Sequence, residues 1–282
     1  MYWQLFQTNP ILWLSTATLL SLLVGSFLNV VIVRLPKAMQ KEWQHQDPSQ
    51  LSRPAIASIA WPASHCPSCD TPLKSWHNIP VISYLLLKGR CAFCKVRIST
   101  RYPAVELLTA ALGFCVAWVL GPSLSGLLGL VLVYFLVAMS FIDLDHKLLP
   151  DQLTLPLMWL GLIINAFGIV TSLEFAVWGA IAGYMSLWLV YWGFRLATGK
   201  HGMGYGDFKL LAALGAWLGW QALPMVVLIA AVAGIVVGVL LRLRKAKTDP
   251  QIPFGPFLSM GGLVYLLHGQ QIWGLFNMAF LR

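Results

Sequence analysis

Charge is what this sequence has least of. Asp, Glu, Lys and Arg make up 10% of its 282 residues, against about 25% in an ordinary soluble domain. That shortage excludes a chain that folds with most of its surface in water. Acids are scarcest, ten against 19 basic residues. No Lys or Arg precedes the first apolar run, and the first ones, Arg34 and Lys37, stand just behind it. That order is expected of an uncleaved anchor whose start lies outside, not of a leader that is removed. A nucleophile with a partner is missing as well, since Ser26, Ser140 and Ser186 lie in apolar runs without an adjacent His. There is no basic stripe on a separate folded domain, so the net charge of +9 is not read as a nucleic-acid footprint.

In place of charge there are 58% hydrophobic residues and 13 tryptophans. Apolar stretches cover 10–33, 103–120, 124–142, 152–170, 175–194, 208–220, 222–241 and 257–280. Crossing a hydrocarbon core takes about 20 helical residues. The pattern therefore predicts an all-α polytopic membrane protein of about eight transmembrane helices. With eight alternating spans, the inner segments are 34–102, the turn around Lys147, 195–209 and 242–253. Eighteen of the 19 Lys and Arg residues fall there and only Arg282 is left outside, as the inward bias of basic residues requires. The expected organisation is an anchor helix over 1–36, a cytoplasmic segment over 37–102 and a transmembrane bundle over 103–282.

The cytoplasmic segment holds His65-Cys66-Pro67-Ser68-Cys69 and, further on, Cys91-Ala92-Phe93-Cys94. Two CxxC knuckles at this spacing match a zinc-ribbon-like site in which Cys66, Cys69, Cys91 and Cys94 surround one Zn²⁺. Four thiolates leave no position for water, so the metal is expected to be structural. Two disulfides are the competing reading, disfavoured by a reducing cytosol. Cys115 sits in an apolar run and reads as a packing residue.

The acids stand where lipid should forbid them. Asp143, Asp145 and Asp151 cluster over 141–151, and Asp207 closes Gly202-Met203-Gly204-Tyr205-Gly206-Asp207. By the topology above, Asp143 and Asp207 share the inner face. Two carboxylates brought close share a proton, so one can act as base and the other as acid on water and a peptide bond, without a covalent intermediate. Gly204 and Gly206 would leave room for an extended substrate backbone and provide a hinge. Each acid also has a plainer reading. Asp145 would pair with Lys147 or stay solvated, Asp151 would cap a helix, and Asp207 would cap one or pair with Lys209. Glu106, at the inner end of the second span, would cap or line the site. The glycine run mimics a phosphate-binding loop but lacks the preceding strand.

Gly25-Ser26-Phe27-Leu28-Asn29-Val30 before Arg34-Leu35-Pro36, Arg101-Tyr102-Pro103-Ala104-Val105-Glu106, Phe141-Ile142-Asp143 through Leu149-Pro150-Asp151, and Gly204-Tyr205-Gly206-Asp207-Phe208-Lys209 form an ordered set. Together with the knuckles, this set resembles the bacterial type IV prepilin peptidases of pilus and type II secretion systems. The resemblance covers nearly the whole chain. It implies an intramembrane aspartic endopeptidase of the bacterial inner membrane, with its site at the cytoplasmic face and both termini periplasmic. Such an enzyme removes the basic leader of prepilins or pseudopilins and N-methylates the new amino terminus with S-adenosyl-L-methionine. It further implies catalytic roles for Asp143 and Asp207, with Gly204, Gly206, Glu106 and Asp151 in support. The rival class is an ion- or proton-coupled transporter, which uses acids at broken helices, although no repeated half is found. A non-enzymatic scaffold would need the cysteines but not the acids.

Overall fold

The computed structural model describes residues 2–44, 55–59, 64–66, 68–200, 202–243 and 252–280. Pro67 of the first knuckle, the basic residues Arg244, Lys245 and Lys247, and the terminal Arg282 lie outside the described residues. The chain divides into two compact units, Met1–Ala138 and Met139–Arg282.

The first unit begins with α1 (Tyr2–Thr8) and α2 (Pro10–Gln44), followed by α3 (Ile82–Leu86), α4 (Arg101–Leu120) and most of α5 (Leu124–His146). The apolar run that starts α2 ends at Val33, yet the helix continues through Pro36. Lys37-Ala38-Met39-Gln40-Lys41 are good helix formers, and Leu35 and Met39 are buried. α2 packs along α4. Small residues let the two backbones approach: a Cβ on Gly25 would stand 2.9 Å from Glu106 Cα, and one on Gly113 would run into Ser21. Buried polar groups in this seam are paired. Trp13 Nε1 donates to the Ala117 carbonyl at 3.0 Å, and the Ser21 and Tyr134 hydroxyls are bonded at 2.8 Å.

The second unit holds the end of α5, then α6 (Asp151–Ala166), α7 (Leu173–Thr198), α8 (Tyr205–Leu218), α9 (Leu223–Leu243) and α10 (Gly255–Phe280). α8 is its centre, touching α6, α7, α9 and α10, and from Asp207 to Leu218 only Lys209 escapes full burial. Its neighbours reach it through glycine. Gly179 and Gly183 on α7, four residues apart, face Gly215 and Leu211 on α8, where any Cβ would collide with main-chain carbonyls. The far end of α8 is tied down by hydrogen bonds. Asn165 Nδ2 donates to the carbonyls of Ala216 at 2.8 Å and Trp217 at 3.0 Å, and its Oδ1 accepts the N–H groups of Val170 and Thr171. Trp217 Nε1 donates to the Leu157 carbonyl at 2.7 Å.

Each of the eight apolar stretches is a helix, α2 and α4 to α10. Among the described residues, five helical segments are long and apolar enough to cross a membrane on their own: Pro10–Trp43, Arg101–Leu120, Leu124–His146, Leu173–Thr198 and Trp220–Leu243. α6 and α8, at 16 and 14 residues, are short of a full crossing, while α10 has the length but is diluted by its glycines, His268 and Gln271. A helix enclosed by others, as α8 is, need not match the lipid thickness. Among the described residues the β-type pairings are two isolated bridges, His65 with Pro72 and Arg90 with Arg97.

Candidate active site and metal cluster

Asp143 lies in the last turn of α5. After His146 the chain turns at Lys147, whose φ is +51° and whose N–H bonds back to the Asp143 carbonyl at 2.8 Å. The turn carries Leu149 inward. Asp207 is the third residue of α8, behind the N-cap Gly204. Leu149 packs against Gly206, the neighbour of Asp207, and beside Gly255, the partner of Asp143. A Cβ on Gly206 would stand 2.7 Å from Leu149 Cβ, and one on Gly255 would stand 3.3 Å from Leu149 Cδ1 and 2.7 Å from Asp143 Oδ2. Gly206 and Gly255 are thus glycine because Leu149 and the Asp143 carboxylate fill the place of their side chains.

The Gly255 N–H, an unpaired donor at the start of α10, bonds to Asp143 Oδ2 at 2.9 Å. Both acids are buried, Asp143 5% and Asp207 7% exposed. Beside Asp207 the rings of Tyr191, Tyr205 and Phe208 pack with centroids 5.2 to 5.7 Å apart. Gly204 differs from Gly206. Its φ of −81° suits any residue, and a Cβ there would meet only Asp207 Oδ2, at 3.8 Å, so the space beside this carboxylate is open.

The remaining acids fall elsewhere. Asp145 is exposed while Asp143 is buried. Asp151 is not a helix cap: Pro150 is the N-cap of α6, and the Asp151 carboxylate takes Lys209 Nζ at 2.6 and 2.8 Å. That bond joins α6 to α8 and also removes the pairing of Lys209 with Asp207. Glu106 belongs to the first unit. It is 7% exposed, its Oε2 accepts the Val81 N–H at 2.8 Å, and the Ser26 hydroxyl lies beside it. Sequence reasoning missed Leu149 and Gly255. The one signal for the latter was a glycine within Pro253-Phe254-Gly255-Pro256, a turn sequence outside the acid motifs.

The two knuckles are built alike. Cys66 N–H bonds to the Thr71 carbonyl and Cys91 N–H to that of Val96, at 3.1 and 2.9 Å. In both, the residue after the second cysteine, Asp70 or Lys95, has a positive φ, +55° or +60°. The four Sγ atoms all lie within 4.8 Å of one another, and those of Cys66 and Cys94 are 3.8 Å apart. A tetrahedron with Zn–S bonds of about 2.3 Å has edges of about 3.8 Å, whereas a disulfide would need about 2.05 Å. None of the four is joined in a disulfide in this structure, and the cluster fits a metal. Hydrogen bonds from Thr71 bring the Cys69 thiol down to about 6, and the N–H groups of Phe93 and Cys94 lower that of Cys91. These two shifts favour thiolates, whereas Cys94, although the Val96 N–H lowers it, is pushed up to about 11 by burial and the neighbouring thiols.

Comparison with known proteins adds relatives over nearly the full length. The model of the bacterial peptidase A24 N-terminal domain matches residues 19–120, and that of the type IV leader peptidase family matches residues 130–239. A Stutzerimonas stutzeri protein named prepilin leader peptidase/N-methyltransferase is 54% identical over 271 residues, covering 94% of each chain. The chain belongs to the type IV leader peptidase family. Proteins of the same name from Pseudomonas aeruginosa and Neisseria gonorrhoeae are 50% and 46% identical, covering 94% and 93% of this chain and 93% and 92% of their own. No solved structure matches the chain. Within the family's two matched regions, the first holds the cysteine cluster and Glu106, and the second holds Asp143 and Asp207. Gly255, which bonds to Asp143, lies beyond both. Membership in a peptidase family sets the transporter reading aside.

Proposed function

We propose that this leader peptidase family member cleaves the leader from prepilins or pseudopilins at the cytoplasmic membrane face, with Asp143 and Asp207 as its catalytic pair. The observation that carries this reading is the burial of both carboxylates, with Leu149 packed against Gly206 next to Asp207 and beside Gly255, which bonds to Asp143. Two such groups hold one proton between them. The ionised member takes a proton from water as its oxygen bonds to the scissile carbonyl carbon. The protonated member polarises the carbonyl oxygen and then gives its proton to the amide nitrogen as the C–N bond breaks. The pair is returned with one proton, and no covalent intermediate forms. The open side of Gly204 is where an extended backbone would lie, while Gly206 and Gly255 leave room for Leu149.

The surroundings are set by the topology. The chain sits in the bacterial inner membrane with both termini periplasmic, as an anchor over 1–36, a cytoplasmic segment over 37–102 and a bundle over 103–282. Cys66, Cys69, Cys91 and Cys94 hold a structural Zn²⁺ that substitutes for a core in a small segment. The relatives' shared name supports a second activity, N-methylation of the new amino terminus with S-adenosyl-L-methionine. Methyl transfer needs a free amine in line with the sulfonium methyl and no carboxylate pair.

Co-expression with a prepilin and mass measurement of its amino terminus tests both activities. The wild type yields a shortened, methylated product, and Asp207→Asn yields the intact precursor. Asp143→Asn given a leaderless peptide and labelled S-adenosyl-L-methionine still transfers methyl. Leader removal by Asp207→Asn at the wild-type rate would overturn the pair. Loss of methyl transfer in folded Asp143→Asn would show that one site performs both steps.

A further inference from the structure

The segment 37–102 makes contact with the helices on either side of it. The turn at its middle, residues 78–81, reaches into the helix pair of the first unit. The Asn78 carbonyl accepts the Ser26 hydroxyl at 3.4 Å, and the Val81 N–H donates to Glu106 at 2.8 Å. Ser26 lies well inside the apolar run of α2, eight residues before Arg34, or about 12 Å along the helix axis. Glu106 lies inside α4, beyond the inner-end residue Arg101. Val81 is held at φ +59°, an outlier for a β-branched residue that persists where surrounding structure fixes it.

Beyond the turn, the chain is apolar and open. Ile82, Leu85 and Leu86 of α3 share one face, three and four residues apart, and are 53%, 66% and 77% exposed; Trp76 and Ile79 before them are 60% and 45% exposed. Beside this face α3 is closed, Ser83 being buried with its hydroxyl on the Trp76 carbonyl at 2.5 Å. The charge around this face has one sign. From Thr71 to Val105 there is no Asp or Glu, but there are Lys74, Lys88, Arg90, Lys95, Arg97 and Arg101, and Lys74 Nζ stands 5.1 Å from the Trp76 ring centre.

We propose that residues 76–87 form a re-entrant lobe set into the inner leaflet of the bilayer. Trp76, Ile79, Ile82, Leu85 and Leu86 meet acyl chains there, and Lys74, Lys88 and Arg90 meet anionic headgroups. Irregular backbone at membrane depth is tolerated only where protein satisfies its polar groups. Glu106 and Ser26 do so for the turn, which accounts for an acid inside a span. The inference rests on the inner-face position proposed above for 37–102. A protein partner is the alternative occupant of the apolar face, and the basic rim favours lipid.

The test uses the full chain in nanodiscs of phosphatidylcholine, with and without phosphatidylglycerol. A benzophenone amino acid replaces Leu86 or, as a control, Asp70 in the first knuckle, and the photoproducts are weighed. The expected result is a phospholipid adduct at Leu86 several-fold above that at Asp70, rising further with phosphatidylglycerol. Glu106→Ala lowers the Leu86 adduct several-fold. Glu106→Gln, whose carbonyl still accepts the Val81 N–H, keeps it, and metal content in each variant reports on the cysteine cluster. An adduct with the chain itself or with added prepilin, or lipid labelling no greater than at Asp70, overturns the lobe. Prepilin cleavage is followed in the same discs. Cleavage without the lipid adduct overturns this inference alone, and the lipid adduct without cleavage counts against the peptidase reading alone.

Discussion

The cysteine cluster and the aspartate pair are both small polar sites in an apolar chain, but they are assembled in opposite ways. Each knuckle makes its own geometry within six residues, from Cys66 to Thr71 and from Cys91 to Val96, by the same pair of hydrogen bonds and the same positive φ. Only the meeting of two finished halves is left to tertiary structure. The aspartates have no local geometry of this kind. Asp143 and Asp207 are carried on different helices, and the donor to Asp143, Gly255, is 112 residues away from it in sequence. A site of the first kind tolerates damage elsewhere, whereas one of the second kind depends on every helix that positions it.

The largest effect should come from removing a carboxylate. Asp143→Asn or Asp207→Asn lowers leader cleavage about a thousandfold or more while the protein accumulates and keeps its metal. Loss of metal in either variant would break the contrast, since it would tie the two sites together.

Next comes an indirect blow to the pair. Gly206→Ala forces a Cβ to within 2.7 Å of Leu149 Cβ and displaces the start of α8. Cleavage should fall between about tenfold and a hundredfold, and Leu149→Ala in the same chain should restore much of it. Additive losses in the double variant would show that Leu149 does not set the spacing.

Smaller again is the effect of the cysteines on chemistry. Cys66→Ser with Cys69→Ser removes the metal and lowers the melting temperature. Peptidase turnover measured below that temperature should fall less than about tenfold, because a closed four-thiolate site takes no part in activating water. The smallest effect is that of Lys209→Met. Its bond to Asp151 is part-exposed, at 30% and 51% for the two side chains, and such pairs contribute less than about 1 kcal/mol, read as a minor shift in melting temperature.

The same contrast explains what the sequence made legible. Spacing alone singled out the four cysteines that the structure gathers into one cluster, because spacing is most of what a knuckle is. Hydropathy alone found a helix in each of the eight apolar stretches, with the longest overrun in α2, where helix formers follow the apolar run. The acids could be singled out as out of place in lipid. What held them could not: Leu149 is one apolar residue among many, and Gly255 acts through a main-chain N–H that any residue but proline could supply. Asp151 looked like a cap because it stands near a helix start. Its partner lies 58 residues on, and no local pattern signals that. The pairing of Val81 with Glu106 was hidden for the same reason, as it joins a loop to a helix 25 residues away.

α8 has a further consequence, for depth. Its 14 residues make about 21 Å of helix, well short of a hydrocarbon core of about 30 Å. A lipid-facing helix adjusts its tilt to membrane thickness, but this one is walled in by its neighbours and anchored at its far end by Asn165 and Trp217. Asp207 therefore stands at a height measured from protein rather than from lipid. In bilayers of different thickness the outer helices would tilt or the lipid would stretch, while the carboxylate kept its distance from that anchor. The bundle works as a depth gauge with its own zero mark, and the bond it cuts would be chosen by reach from that mark.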